Sequence, residues 1–121
     1  MKYAMLLISS ITFFTSCNVP NDGHKQSEVI SSFGEQLSVA NGPQNEVVIT
    51  FGHQESIYYA ISSNEGATFN EPSVIATLDG LALGYSSGPN IAITPKYTVI
   101  TAPDTLGNLY AWNKPHAEEI W

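Results

Sequence analysis

The residues able to do chemistry in this 121-residue chain are few. Asp104 stands in the loop Pro103-Asp104-Thr105-Leu106-Gly107, directly after a β-like run, where a carboxyl group could pass a proton to or from a substrate. An aspartate in such a loop is also a common turn-former that accepts N–H groups of its own backbone. His53 follows Phe51-Gly52 at a strand end and could line a funnel or be held by a loop hydrogen bond. Glu55, Asp79, Glu118 and Glu119 have no partner by spacing. Tyr58, Tyr59, Tyr85, Tyr97 and Tyr110 read as strand and interface aromatics. The four basic residues are Lys2, Lys25, Lys96 and Lys114, so the chain has no arginine and no guanidinium fork to clamp a carboxylate or phosphate. A net charge of −7 argues against nucleic acid as a partner. The single cysteine, Cys17, excludes an internal disulfide and a CxxC-type zinc site. The sequence contains no Walker loop, zinc spacing, GxSxG or calcium loop, and no cofactor is expected.

Cys17 has a different use. Lys2 is followed by a mainly apolar stretch from Tyr3 to Phe14, then by the small residues Thr15 and Ser16. That stretch is too short to span a bilayer and has the length of a signal-peptide core. The segment resembles a bacterial lipoprotein signal, cut before a cysteine whose sulfur carries a diacylglyceryl group. Phe14 departs from the usual aliphatic residue at its position. The other reading is an ordinary secretory peptide with an incidental cysteine. The expected organisation is a signal peptide at 1–16, a polar tether at 17–35 and a folded part at 36–121. His24 lies in the tether and is expected to be solvated. The lipoprotein resemblance implies lipid anchoring in the cell envelope, at the outer membrane, with either side open.

The folded part has a β texture. Val47–Phe51, Ser56–Ile61, Ser73–Leu78, Asn90–Thr94, Tyr97–Ala102 and Asn108–Asn113 are rich in β-branched and aromatic residues and are separated by Gly, Pro, Asn and Asp. No run after the leader keeps a helical period. Val47-Val48-Ile49-Thr50 returns as Thr98-Val99-Ile100-Thr101 at an offset of 51, and Ile57-Tyr58 returns as Leu109-Tyr110 at 52. A period near 50 in short strands is what propeller blades produce.

Between two of these runs, Ser62, Asn64, Gly66, Thr68 and Phe69 fill the pattern S-x-D-x-G-x-T-W/F, with Asn64 in place of the aspartate. This motif resembles the Asp box of sialidase-like (BNR repeat) β-propellers. Gly66 would supply a positive φ, and Phe69 would cover the turn and pack between sheets. In the second unit Lys114, His116 and Glu118 replace the Ser, Asp and Gly positions, while Trp121 keeps the aromatic place. The resemblance implies an all-β fold of about two four-stranded blades, 36–80 and 81–121, of an incomplete six-bladed propeller. An Asp box is a structural turn and names no reaction.

The resemblance also implies a reaction for complete family members: hydrolysis of sialosides by an arginine triad, a tyrosine nucleophile with a glutamate, and an aspartate acid/base. Asp104 matches that aspartate by position alone. Asn90, in Ser86-Ser87-Gly88-Pro89-Asn90, stands where related propellers often carry arginine. The expected function is therefore a fragment of a membrane-anchored sialidase-like glycoside hydrolase, inactive alone for want of arginines. The alternative is a non-catalytic propeller lipoprotein that binds carbohydrate or protein. Two blades cannot close a ring, so a truncated copy of a larger protein is expected, or a short protein whose exposed blade edges associate with another copy.

Overall fold

The computed structural model describes residues 29–121; the leader and Cys17 lie outside the described residues. Four strands, β1 (Glu35–Asn41), β2 (Val47–His53), β3 (Ser56–Ser62) and β4 (Ser73–Thr77), form an antiparallel sheet in sequence order. Three more, β5 (Asn90–Ile93), β6 (Tyr97–Pro103) and β7 (Leu109–Pro115), form a second antiparallel sheet. The described chain is all-β, with a single 3₁₀ turn at Pro43–Asn45. Strand β1 was not marked by composition. Its run holds only two large apolar residues, Leu37 and Val39, both left exposed on one face.

Period-two alternation divides each strand between two faces. In the first sheet Val48, Ile57 and Tyr59 point toward the second sheet. There they meet Ile100 and Ala102 of β6, flanked by Ile91, Ile93 and Trp112. Burying each large aliphatic side chain in this layer contributes about 1.5–3 kcal/mol. Leu78 and Leu81 close one end of the stack. Gly52 leaves room for Leu83, whose side chain occupies the space a Cβ there would need. The innermost strands approach closely as well: the Ile91 N–H donates to the Ser38 hydroxyl at 3.2 Å, and a Cβ on Gly88 would collide with Gln36.

The opposite face of the first sheet carries its own cluster. Ile49, Phe51 and Ala60 are buried beneath Ile30, Tyr58 and Phe69. Phe51 and Tyr58 stack with ring centroids 5.2 Å apart, and Phe33 stands edge-on to Tyr58 at 5.4 Å. Phe69 thus lies on the face turned away from the second sheet rather than between sheets. Trp121, by contrast, lies between the sheets, edge-on to Tyr59 at 5.1 Å.

The sequence repeat is also a repeat of register. Val48 pairs with Ile61 as Val99 pairs with Asn113, and Thr50 pairs with Tyr59 as Thr101 pairs with Ala111. On the other side of the central strand, Ser38 pairs with Thr50 as Asn90 pairs with Thr101. The second sheet therefore repeats the register of the first three strands of the first sheet, and the two stack so that unlike faces meet.

Candidate functional site

Three places concentrate polar side chains, the first and third at one end of the strands and the second at the other. The first is the turn from β3 to β4. Ser62 is buried at the end of β3; its hydroxyl accepts the Gly66 N–H at 2.9 Å and donates to Asn64 Oδ1 at 2.8 Å. Asn64 Oδ1 also accepts the Thr68 N–H at 2.9 Å, while its amide nitrogen donates to the Thr68 hydroxyl at 2.9 Å. Glu65 and Gly66 take positive φ values of 61° and 84°, which let the chain reverse inside this network. Just outside it, Asn70 Oδ1 accepts the Ile61 N–H at 2.7 Å, tying the turn back to β3. Ser62, Asn64 and Thr68 direct their hydrogen bonds to one another and to the backbone of the loop. Ser62 has no base beside it, and the arrangement is a fastening rather than a reaction centre.

The second place is the β6–β7 hairpin around Asp104. Its carboxylate is 7 % exposed and accepts four hydrogen bonds. Oδ1 takes the N–H groups of Leu106 at 2.9 Å and Asn108 at 2.8 Å. Oδ2 takes the Asn108 amide at 2.8 Å and the Tyr110 hydroxyl at 3.3 Å. The Asn108 amide is the largest influence and, with the backbone donors and Tyr110, holds the Asp104 pKa below the usual carboxylate value against the opposing effect of burial. The Asp104 charge in turn raises the Tyr110 pKa. A general acid at neutral pH needs the opposite shift. Asp104 as built here is an ionised clasp for its own loop.

The third place is a cleft of about 360 Å³ between the sheets, at the other end of β6 from Asp104. Glu46, Tyr59, Ile61, Thr98, Lys114 and His116 line it. The Lys114 ammonium lies 6.0 Å from the ring centres of both Tyr59 and Trp121 and donates to the Glu118 carbonyl at 3.3 Å. Burial, then the Glu46 charge, raises the Tyr59 pKa. The cleft is lined by one aromatic ring, one cation and a few polar groups, with Trp121 close to the same cation. It lacks a paired nucleophile and base.

The structure does not bring Asp104 together with either other place. Asn90 is exposed at the start of β5 and bonds the Gly88 carbonyl at 3.2 Å. His53 packs its ring 4.8 Å from Phe33, and its Nδ1 is buried without a hydrogen-bond partner. Among the described residues no cluster of His, Cys, Asp and Glu has the spacing of a metal site. The cleft was the part missed from sequence. Its signal is the pairing of Thr98 with Lys114, which places that lysine on the inward face of β7.

No family model, curated protein or solved structure matches this chain.

Proposed function

We propose that the chain is part of a sialidase-like β-propeller lipoprotein of the bacterial cell envelope, lipid-anchored through Cys17, and that it does not hydrolyse sialosides on its own. The observation that carries this reading is the repeat of strand, register and stacking between the two sheets, with the Ser62–Phe69 turn in the place an Asp box would hold. The chain contains no arginine to neutralise a sugar carboxylate, and Asp104 is held ionised. A fluorogenic sialoside incubated with the purified chain should show no turnover. Turnover lost in Asp104→Ala would refute the inactive reading. Labelling with a palmitate analogue should mark the wild type and not Cys17→Ser.

A second reading, a non-catalytic glycan-binding module, is supported by the cleft lined by Tyr59 and Lys114, with the Trp121 ring 6.0 Å from the same ammonium. Trp121 fluorescence should then respond to added monosaccharide, and Lys114→Ala should reduce the response to acidic sugars. A spectrum indifferent to every sugar would leave the cleft a packing gap.

A further inference from the structure

Each sheet has one face buried against the other and one left free, and the free faces are unlike. The offsets of 51 and 52 make them comparable residue by residue. Leu109 of β7 holds the place that Ile57 holds in β3; Ile57 is 0 % exposed and Leu109 is 73 % exposed. On the other side Val29 aligns with Leu81, at the offset that relates Ser38 to Asn90; Leu81 is 6 % exposed and Val29 is 79 % exposed. Val39 corresponds to Ile91, which is packed in the core, yet Val39 is 54 % exposed. Phe69 corresponds to Trp121: the tryptophan is roofed by Tyr59 of the neighbouring sheet, and the phenylalanine has no sheet over it.

We infer that these two free faces are made for each other, and that a second copy of this chain docks the outer face of its β5–β7 sheet onto the outer face of the first copy's β1–β4 sheet. The contact continues, from one copy to the next, the interface already present inside the chain. This rests on reading the two sheets as neighbouring blades. Charge supports a copy as the occupant. The chain carries a net charge of −7, so like molecules repel unless the meeting surfaces are neutral. Both are: Leu37, Val39 and Val74 are exposed on one, around the buried Ile49, Phe51 and Ala60, and Ala92, Val99, Thr101, Leu109, Ala111 and Asn113 form the other. The segment at Ile30 and Phe33 already lies on part of the first face. At the offset of 52 it aligns with the segment 82–85, where the adjoining Leu81 and Leu83 pack between the sheets inside the chain. It is therefore filling for the joint rather than an obstacle to it.

A head-to-tail contact of this kind closes into a ring or runs on as a filament. Propellers close at about four to eight blades, so two-sheet chains close with two, three or four copies.

Native mass spectrometry of the full chain in non-ionic detergent is the test. A single closed species of two, three or four copies is expected. A monomer at every concentration, or an open ladder of sizes, overturns the inference. Val39→Glu spoils one face and Leu109→Glu the other, and both positions are exposed enough to tolerate the change. Each variant alone should be monomeric. A mixture of the two should give a one-to-one pair, because each retains the face the other lacks. Both variants keep Cys17, so association that survives in either of them is driven by lipid and refutes the inference. Should either lose its strand signal in circular dichroism, Val74→Glu and Asn113→Glu place the same charge on the same two faces. Sialoside turnover bears on the proposed function alone, and the mass of the assembly bears on this inference alone.

Discussion

The turn after β3 and the turn after β7 occupy the same place in the repeat but solve different problems. In the first, Ser62, Asn64 and Thr68 spend their hydrogen bonds on one another, and the loop holds itself. In the second, Lys114 stands where Ser62 stood, and its ammonium bonds the Glu118 carbonyl and faces Tyr59 and Trp121. One turn is fastened internally, and the other is fastened to the neighbouring sheet. A repeat position can thus exchange local polar closure for packing across an interface, provided that a neighbour exists.

The largest expected effect tests the packed turn. Trp121→Ala removes the ring that covers Tyr59 and should cost about 2–3 kcal/mol in chemical denaturation, less than a fully buried tryptophan because Trp121 is partly exposed. A cost below that of Phe69→Ala would reverse the ranking of the two turns. Next is Gly66→Val. A Cβ at Gly66 meets nothing nearer than Val47 Cγ2 at 3.7 Å, so the cost comes from a β-branched residue at φ 84°, about 2 kcal/mol. Full stability in this variant would mean the turn can be made without positive φ. Ser62→Ala should cost about 1 kcal/mol by leaving the Gly66 N–H and Asn64 Oδ1 short of a partner. Lys114→Met, which keeps the stem and drops an exposed bond, should change stability by only a few tenths of a kcal/mol; a larger loss would show that the second turn depends on charge.

A further prediction concerns acid. The folded-state pKa of Asp104 lies below its unfolded value. Its contribution to stability is therefore complete above about pH 4, the ordinary aspartate value, and fades as pH falls through the lower folded value. Asp104→Asn should flatten that part of the stability–pH curve measured by denaturant titration. An unchanged acid limb would assign the loss to other carboxylates.

Much of the fold was legible because β2, β3 and β6 are dense in β-branched residues and repeat in order. Strand β1 was not, since its two large apolar residues, Leu37 and Val39, stand on the exposed face and its half-buried face carries only Gln36, Ser38 and Ala40. The turn at Ser62 could be read because its network is local: every partner lies within a few residues. The clasp on Asp104 was half legible. A Pro-Asp-Thr loop announces a turn, but the Tyr110 contribution depends on β6–β7 register. The cleft at Lys114 was not legible, because Glu46, Tyr59 and Lys114 come from three strands or loops and meet only once the sheets stack.

Gly52 is the second-last residue of the otherwise bulky strand β2, and Leu83 from the segment before β5 enters the space it leaves. The pair works as a peg in a socket. It sets how near the two layers come and resists sliding toward Thr50, the next residue of the strand on that face. The fit of the layers is therefore tuned by a missing methyl group, and Gly52→Ala would first displace the ends of the Leu83 and Leu81 side chains rather than the backbone.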